Sequence, residues 1–239
     1  MTTKEKLLAL LEDSKGTFFS GEEIARTLQI SRAAVWKAVN ALREDGYTID
    51  AVTNKGYRLS PDSDILSPQG IRRFLKPEYR DLNLTVLPTA PSTNALVREK
   101  ANQGCPEGCV IIACEQTAGR GRYGRQFFSP ADTGVYLSLL LRPTAYSPQQ
   151  ATCLTAAAAA AMCQAIEAVT GQHPGIKWVN DIFLHGKKVC GILTEAAVGL
   201  ETGTLNYMVL GAGINVYPPT DGFPEEIQSI AGALLEHST

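Results

Sequence analysis

The sequence carries little net charge, no paired cysteine motif and no clustered histidines. Its 22 basic and 24 acidic side chains leave a formal charge of −2, so a nucleic-acid contact would have to come from a local patch. The six cysteines form no C-x-x-C pair and the three histidines lie far apart, which disfavours a zinc site and predicts reduced, mostly buried thiols. No apolar run reaches the roughly 18 residues of a membrane span, and the charged start lacks the apolar stretch of a signal peptide. We therefore expect a cytoplasmic protein that contacts no membrane.

The chain is long enough and apolar enough to form a substantial core. Its 239 residues are 44% hydrophobic and 19% charged, which excludes a disordered or fibrous chain and allows one large domain or two smaller ones. A polar stretch that contains prolines, residues 61–68, is typical of a linker. We therefore predict an N-terminal domain over residues 1–60, a linker over 61–68 and a second domain over 69–239.

Three short helical patterns and a hairpin open the chain. The third helix begins at the capping residue Ser31, and two alternating strands within residues 48–60 meet at Asn54-Lys55-Gly56. This order predicts a winged helix-turn-helix, whose last helix enters the major groove of DNA. A small helical interaction module is the alternative, although residues 30–60 hold five basic against three acidic side chains. The candidate DNA contacts are Arg32, Ala33, Trp36, Lys37, Asn40 and, on the hairpin, Lys55.

The second domain mixes strands and helices without a regular alternation. Adjacent strands joined by short turns, such as the hairpin predicted within 181–194, favour an α+β fold with a mixed sheet over a doubly wound parallel sheet. A further helical stretch is expected over 223–236. We predict strands at 82–87, 109–114, 135–141, 189–198 and 205–216, and helices at 92–103 and 148–169.

Residues 119–125, Gly-Arg-Gly-Arg-Tyr-Gly-Arg, match the G-x-G-x-x-G pattern of dinucleotide-binding folds. That interpretation requires a helix directly after the glycines and an acidic residue about 20 positions later, and both are missing here. Three arginines that alternate with three glycines instead predict an anion-binding loop, because backbone N–H groups and guanidinium groups both bind phosphate or carboxylate oxygens. The alternative is a solvated basic loop that binds nothing specific. We expect this loop to become ordered only with its ligand.

Two other clusters place polar residues at the ends of predicted strands and helices. Lys177, at the start of a Lys-Trp-Val-Asn-Asp stretch, supplies a point charge for a phosphate or carboxylate, and Asp181 is a candidate Mg²⁺ ligand or base. An Asn-Asp pair at a turn is also common for structural reasons. Ser92, Thr93 and Asn94 open a helix, where they act as caps or direct their polar groups at a small ligand.

Five ordered motifs in the second domain resemble those of biotin protein ligases. They are Ser92-Thr93-Asn94, Gln116 to Arg125, Lys177 to Asp181, Lys188 to Glu195 and Gly211 to Asn215. Residues 30–37 together with Lys55-Gly56-Tyr57 are similar to the DNA-binding head of the bifunctional bacterial form, the biotin operon repressor. The resemblance covers nearly the whole chain, and the order of the five motifs makes it specific.

The resemblance implies a fold, an activity and a set of partners. The fold would be a winged helix-turn-helix followed by a mixed-sheet, class II synthetase-like catalytic domain of the biotin and lipoate ligase type. Such an enzyme joins biotin to ATP with the help of Mg²⁺, forms biotinyl-5′-adenylate, and passes biotin to a lysine of the biotin carboxyl carrier protein of a carboxylase. In the family, the adenylate-loaded state forms a homodimer that binds operator DNA and represses biotin genes.

Matching motif positions assign roles to individual residues. The resemblance assigns biotin binding to Ser92, Thr93, Asn94, Gln116, Arg120, Gly121, Arg122 and Lys188. It assigns nucleotide binding to Gly119, Arg125, Phe127, Lys177, Asn180 and Asn215. Lys177, Asp181 and Arg122 are the implied catalytic residues, and Asp181 is also the candidate Mg²⁺ ligand.

The sequence departs from the family pattern at a few positions. Tyr123, Phe127 and Val179 stand where the usual residues are an arginine or similar polar residue, tryptophan and proline. We also expect the chain to lack the family's C-terminal SH3-like domain. A biotin-sensing transcription factor without catalysis and a lipoate or octanoate transferase are the alternatives. The intact lysine, arginine and aspartate motifs argue against the first, and the glycine–arginine loop and the DNA-binding head argue against the second.

Overall fold

The computed structural model describes residues 1–143, 151–199 and 204–236. The chain divides into two compact units, Met1–Asp81 and Leu82–Thr239. The linker predicted over 61–68 lies within the first unit, and the first residues predicted for the second domain, 69–81, belong to that unit as well. The division therefore comes later in the chain than the polar stretch indicates.

The first unit is a winged helix-turn-helix, as predicted. Its elements are α1 (Thr3–Asp13), α2 (Gly21–Leu28), α3 (Arg32–Glu44), β1 (Ile49–Val52), β2 (Gly56–Leu59) and α4 (Pro68–Arg72). The short helix α4 packs against α1, where the buried side chain of Glu12 lies 3.8 Å from the guanidinium of Arg73. This packing explains why the residues that follow the predicted linker belong to the first unit.

Capping side chains determine where α2 and α3 begin. Ser20 Oγ accepts a hydrogen bond from the N–H of Glu23 at 3.0 Å, and Ser31 Oγ accepts one from the N–H of Ala34 at 3.1 Å. The predicted N-cap Ser31 is therefore confirmed, and Ser20 caps α2 in the same way. The buried face of α3 consists of Val35, Ala38, Val39 and Leu42, as its periodicity predicts.

The hairpin between β1 and β2 turns at Asn54 and Gly56, which have positive φ angles of 65° and 98°. A Cβ on Gly56 would overlap the carbonyl oxygen of Phe19, so this position requires glycine. Phe19 pairs with Tyr57 through backbone hydrogen bonds in both directions. These bonds attach the hairpin to the segment that precedes α2.

The second unit contains, within the described residues, a seven-stranded mixed sheet. Its elements are β3 (Asn83–Ala90), α5 (Thr93–Asn102), β4 (Cys109–Gln116), β5 (Gly134–Leu141), α6 (Ala151–Thr170), β6 (Gly175–Lys177), β7 (Asp181–Leu184), β8 (Lys187–Val198), β9 (Leu205–Asn215) and α7 (Glu225–Gln228). The strand order is β3-β4-β5-β9-β8-β7-β6. β3 and β4 are parallel and the other neighbours are antiparallel, which confirms the α+β fold with a mixed sheet. The predicted strands are all present, and β6 is an addition.

Two helices pack on this sheet. α5 packs against β4, β5 and β9 around Val97 and Leu140, and α6 packs against β7 and β8 around Ile166 and Ile182. By length and composition alone, the stretch Cys153–Thr170 of α6 is apolar enough to cross a membrane. The expectation that no stretch reaches this length is therefore wrong. The first residues of the predicted helix, 148–150, lie outside the described residues.

The helix predicted over 223–236 is wrong for most of its length. Within this range α7 is the helical part, and the residues after it turn and form a single bridge, at Ala231, to Lys188 at the start of β8. The N–H of Lys188 donates to the carbonyl of Ile230 at 2.7 Å, and the N–H of Gly232 donates to the carbonyl of Lys188 at 2.9 Å. Backbone pairing with the sheet thus competes with helix formation and prevails.

The cysteines are all free thiols, as expected, but most of them are not buried. Cys109 and Cys190 are buried, Cys105, Cys114 and Cys163 are partly exposed, and Cys153 is exposed. Burial raises the pKa of the Cys190 thiol to about 12 and that of the Cys109 thiol to about 11. Neither buried thiol ionises near neutral pH, so neither is a nucleophile.

Candidate functional site

Two adjoining cavities of the second unit collect the small-molecule site residues predicted from the sequence. The first has a volume of about 50 Å³ and the second of about 380 Å³. Residues common to both linings are Gly121, Arg122, Phe127, Asn180, Asp181 and Lys188. The first cavity adds Ser92, Thr93, Asn94, Gln116 and Arg120, and the second adds Arg125, Lys177 and Asn215. Among the predicted residues, Gly119 alone lines neither cavity.

The start of α5 forms a polar wall of the first cavity. Ser92 Oγ accepts a hydrogen bond from the N–H of Ala95 at 3.4 Å, so this residue is the N-cap of α5. Thr93 donates from its backbone N–H and from Oγ1 to Gln116 Oε1, at 2.9 and 3.2 Å. Ser138 Oγ, which is fully buried, lies 2.8 Å from Thr93 Oγ1. The same residues thus cap the helix and line the cavity.

Asn94 has a positioning role that the sequence did not reveal. Its Oδ1 accepts a hydrogen bond from Ser138 Oγ at 2.6 Å, and its Nδ2 donates to Glu195 Oε2 at 2.8 Å. A Cβ on Gly211 would overlap Asn94 Oδ1, so β9 requires glycine beneath the amide. Both ends of the amide bond to the protein, and Asn94 therefore fixes the start of α5 against β5 and β8.

The glycine–arginine loop between β4 and β5 folds back on itself. The N–H of Gly121 donates to the carbonyl of Arg125 at 2.7 Å, and the N–H of Phe127 donates to the carbonyl of Gly119 at 3.0 Å. A Cβ on Gly119 would overlap the carbonyl oxygen of Phe127. Gly119 therefore permits the close approach of the two sides of the loop, which differs from the nucleotide contact assigned to it. The loop side chains left exposed to a ligand are Arg120, Arg122, Tyr123 and Arg125.

Alternating polar and charged groups connect this loop to β7 and β8. Arg122 Nη1 donates to Asn180 Oδ1 at 3.0 Å, and Asn180 Nδ2 donates to Asp181 Oδ1 at 2.9 Å. Lys188 Nζ lies 2.7 Å from the same carboxylate oxygen. Two cations and one carboxylate therefore stand at the boundary of the two cavities, and the excess positive charge favours an anionic ligand there.

Glycines on β8 and β9 form a flat floor under the ring of Phe127. A Cβ on Gly213 would lie 2.5 Å from Phe127 Cε1, and one on Gly191 would lie 2.9 Å from Cε2. The ring meets Tyr136 edge-on, with ring centroids 6.5 Å apart, and Lys188 Nζ lies 5.9 Å from its centroid. The motifs contain these glycines, but their function as a floor is visible only in the fold.

An apolar wall of the second cavity was missed by the sequence reasoning. It consists of Phe223, Ile227, Ile230 and Ala231 from the C-terminal segment. Asn215 Nδ2 donates to the carbonyl of Gly232 at 2.9 Å, so this asparagine ties β9 to the segment that carries the wall. Lys177 Nζ, also on this cavity, lies 5.3 Å from the ring centroid of Phe183. The sequence analysis missed this wall because it interpreted residues 223–236 as one continuous helix.

Three of the predicted DNA contacts, Arg32, Ala33 and Trp36, line one groove of the first unit, whereas Lys37, Asn40 and Lys55 lie outside its lining. Arg32, Ala33, Trp36 and Lys37 of α3 are exposed and Asn40 is half-buried, and Lys55 is exposed on the hairpin. A groove of about 680 Å³ separates α3 from the hairpin. Its lining includes Ser20, Gly21, Arg32, Ala33, Trp36, Ala51, Val52, Thr53, Asn54 and Tyr57.

These features define the class of protein. A winged helix-turn-helix is followed in one chain by a mixed-sheet domain, whose two cavities adjoin at a boundary lined by cations. This combination is typical of a DNA-binding ligase that activates a small acid with a nucleotide. Residues 86–215 match the biotin/lipoate A/B protein ligase family, and residues 3–58 match a helix-turn-helix domain. The chain belongs to the biotin/lipoate A/B protein ligase family, and its similarity to curated relatives places it among the bifunctional ligase/repressors.

Those relatives match nearly the whole chain. The bifunctional ligase/repressor BirA of Bacillus subtilis (strain 168) is 41% identical over 235 residues, which are 98% of this chain and 71% of that protein. BirA of Escherichia coli (strain K12) is 35% identical over 215 residues, 90% of this chain and 64% of that protein. The biotin protein ligase from Aquifex aeolicus in complex with biotin and ATP has a TM-score of 0.52 and 31% identity, covering 64% of this chain and 59% of that one.

Proposed function

We propose that the chain is an ATP-dependent biotin protein ligase that also represses transcription in response to biotin. The observation that carries this proposal is the meeting of the five motifs at two cavities that share Arg122, Asp181 and Lys188. The relatives described as bifunctional ligase/repressors and the related ligase bound to biotin and ATP support the same assignment. The first cavity, at about 50 Å³, would hold one part of biotin, and ATP would occupy the second cavity.

The cations at the boundary suit adenylate formation. Bringing the biotin carboxylate to the α-phosphate of ATP places two anions together, and Arg122, Lys177 and Lys188 offset their repulsion. The carboxylate oxygen attacks the α-phosphorus, pyrophosphate leaves, and biotinyl-5′-adenylate forms. A lysine amine of the carrier protein then attacks the biotinyl carbonyl carbon, AMP leaves, and Asp181 receives the proton of the amine.

A magnesium ion that arrives with ATP fits the second cavity through Asp181. Magnesium at nucleotide sites commonly takes one or two carboxylates together with substrate phosphates. Asp181 is the carboxylate in the linings of both cavities, and no cluster of three or more potential metal ligands is present among the described residues. Asp181 would therefore hold an ion carried by the nucleotide, and that ion would offset phosphate charge.

Closure of the glycine–arginine loop links catalysis to repression. An acyl adenylate hydrolyses when water reaches it, so a loop that closes over it protects it. We infer that the closed, loaded state forms a homodimer that binds operator DNA through α3 and the hairpin, which makes ligand loading a population switch. The other macromolecular partner is the biotin carboxyl carrier protein of a carboxylase, and the site of action is the cytoplasm.

Pyrophosphate release from ATP with one acid at a time tests the ligase assignment. Release is expected with biotin, followed by transfer of biotin to a carrier domain. Release with lipoate alone indicates the lipoate class, and binding of biotin without release indicates a sensor. Lys177→Met should abolish release, whereas Lys100→Met, an exposed lysine on α5 outside both cavities, should not.

Operator binding is tested separately through the first unit. Lys37→Ala should weaken binding to operator DNA and leave pyrophosphate release unchanged, because Lys37 lies on the exposed face of α3. Lys6→Ala, an exposed lysine on α1, is the charge-matched control. Equal loss of both activities in Lys37→Ala would contradict the division of labour between the units.

A further inference from the structure

The groove between α3 and the hairpin, defined above, has an apolar centre. Ala33 and Trp36 lie about one turn apart on the exposed face of α3, and Val52 at the end of β1 lines the same groove. Trp36 is 58% exposed and Val52 is 43% exposed. The hydrophobic core of this unit does not include these three side chains. Packing within the unit therefore does not explain their position.

The border of the groove is suited to a nucleic acid backbone. Arg32 is the charged residue of the lining, which contains no carboxylate. Lys37 on α3 and Lys55 on the hairpin are exposed nearby in the unit, and α3 directs its N-terminal turn, with Arg32 and Ala33, toward the groove. Apolar side chains on the exposed face of a helix, with basic residues beside them, suit a helix that enters a DNA groove between two phosphate backbones.

One base group in the major groove is apolar, namely the C5-methyl of thymine. Alanine methyls and aromatic rings read that group by contact, and the first residues of a recognition helix are the ones that reach base edges. Trp36 can donate one hydrogen bond and accept none. We propose that Ala33, Trp36 and Val52 read thymine methyl groups, so that the operator half-site is recognised partly through thymines. This inference rests on the proposed operator binding and specifies its chemistry.

Replacing thymine by uracil removes the methyl and keeps every hydrogen-bonding group. Duplexes are first selected from a random library by the full-length protein with biotin and ATP, then resynthesised with deoxyuridine at one thymine at a time. Burial of a single methyl corresponds to about a fourfold change in affinity. We expect at least one thymine per half-site at which deoxyuridine weakens binding by about that factor, measured by fluorescence anisotropy.

Variants of Trp36 assign the effect to the groove. Trp36→Ala should remove the difference between thymine and deoxyuridine at the thymine that Trp36 contacts, and Trp36→Phe should keep most of it. Lys37→Ala should weaken binding to both duplexes by the same factor, as a phosphate contact does. Because Trp36 is mostly exposed, its replacement should leave the unit folded, which circular dichroism checks.

The outcomes separate this inference from the proposed function. Equal binding of every thymine and deoxyuridine pair by the unchanged protein overturns the inference and leaves operator binding standing. A thymine preference that is unchanged at every position in Trp36→Ala overturns the assignment of Trp36 to this readout. Enrichment of no duplex at all refutes the proposed operator function, and the inference with it.

Discussion

A methyl group added to the floor of the first cavity should displace Phe127 and weaken biotin binding. In Gly213→Ala the new Cβ would lie 2.5 Å from Phe127 Cε1, whereas carbon atoms in contact prefer about 3.5–4.0 Å. The ring must therefore shift by roughly 1 Å or more away from the sheet. Phe127 is held at its backbone by the N–H bond to Gly119, so the ring moves into the cavity that it borders.

The expected magnitude follows from the small size of that cavity. At about 50 Å³, it has little space to absorb a moved ring. Binding of biotin must force the ring back against the new methyl, and if this costs about 1–3 kcal/mol, as overpacking does, the affinity for biotin falls by roughly 5- to 150-fold. Isothermal titration with biotin alone measures it. Gly175→Ala is the matched control, because nothing lies within 4 Å of a Cβ at that position.

A double-mutant cycle decides whether the ring is the cause. In Phe127→Ala, which lacks the ring, adding Gly213→Ala should cost little further affinity. An equal penalty in both backgrounds, or biotin binding by Gly213→Ala that equals that of the unchanged protein, would refute the reasoning.

Three further predictions concern the loop, the thiols and the buried carboxyl of α1. Arg122→Ala removes the 3.0 Å bond to Asn180 and should shorten the lifetime of bound adenylate in single-turnover experiments; an unchanged lifetime removes that role. Exposed Cys153 should react first with a thiol reagent at pH 8 and Cys190 only after unfolding, and early modification of Cys190 would show that its burial is wrong. Burial raises the pKa of Glu12, so its ionisation opposes folding as the pH rises above the usual glutamate range. Glu12→Gln should therefore raise the thermal stability at pH 7 more than at pH 4, and the reverse order would contradict this sign.

Hydrophobic periodicity and capping residues were sufficient to predict the elements whose buried and exposed faces are determined by neighbours in the chain. In α3, Ser31 supplies the cap and a repeat of three and four residues separates the buried Val39 from the exposed Trp36. The hairpin turn at Asn54-Lys55-Gly56 was equally local, because positive φ angles select asparagine and glycine. Such features depend on neighbours in the chain, and the sequence contains them in full.

The candidate site depends on contacts between residues that are distant in the chain. The sequence predicted most of its residues but not their contacts. Motif order identified Asn94, but only the fold shows its amide bonded to Ser138 and Glu195. Ser138, inside the apolar strand predicted over 135–141, was the available signal, since a buried hydroxyl needs a partner. The wall around Ile230 carried no signal, because its position depends on backbone bonds to Lys188, which is distant in the chain.

Lys188 is the residue at which these separate features meet. Its ammonium group pairs with Asp181 at 2.7 Å between the two cavities. Its backbone N–H and its carbonyl both form hydrogen bonds with the segment that carries the apolar wall of the second cavity. If the carboxylate of the bound acid draws this ammonium group away from Asp181, the positive charge close to the nucleotide phosphates changes. Any shift of the Lys188 backbone also moves the wall at Ile230. Because coupling between two ligands is reciprocal, a nucleotide that orders this wall should also hold Lys188 in place for the acid, so one lysine joins the two halves of the site.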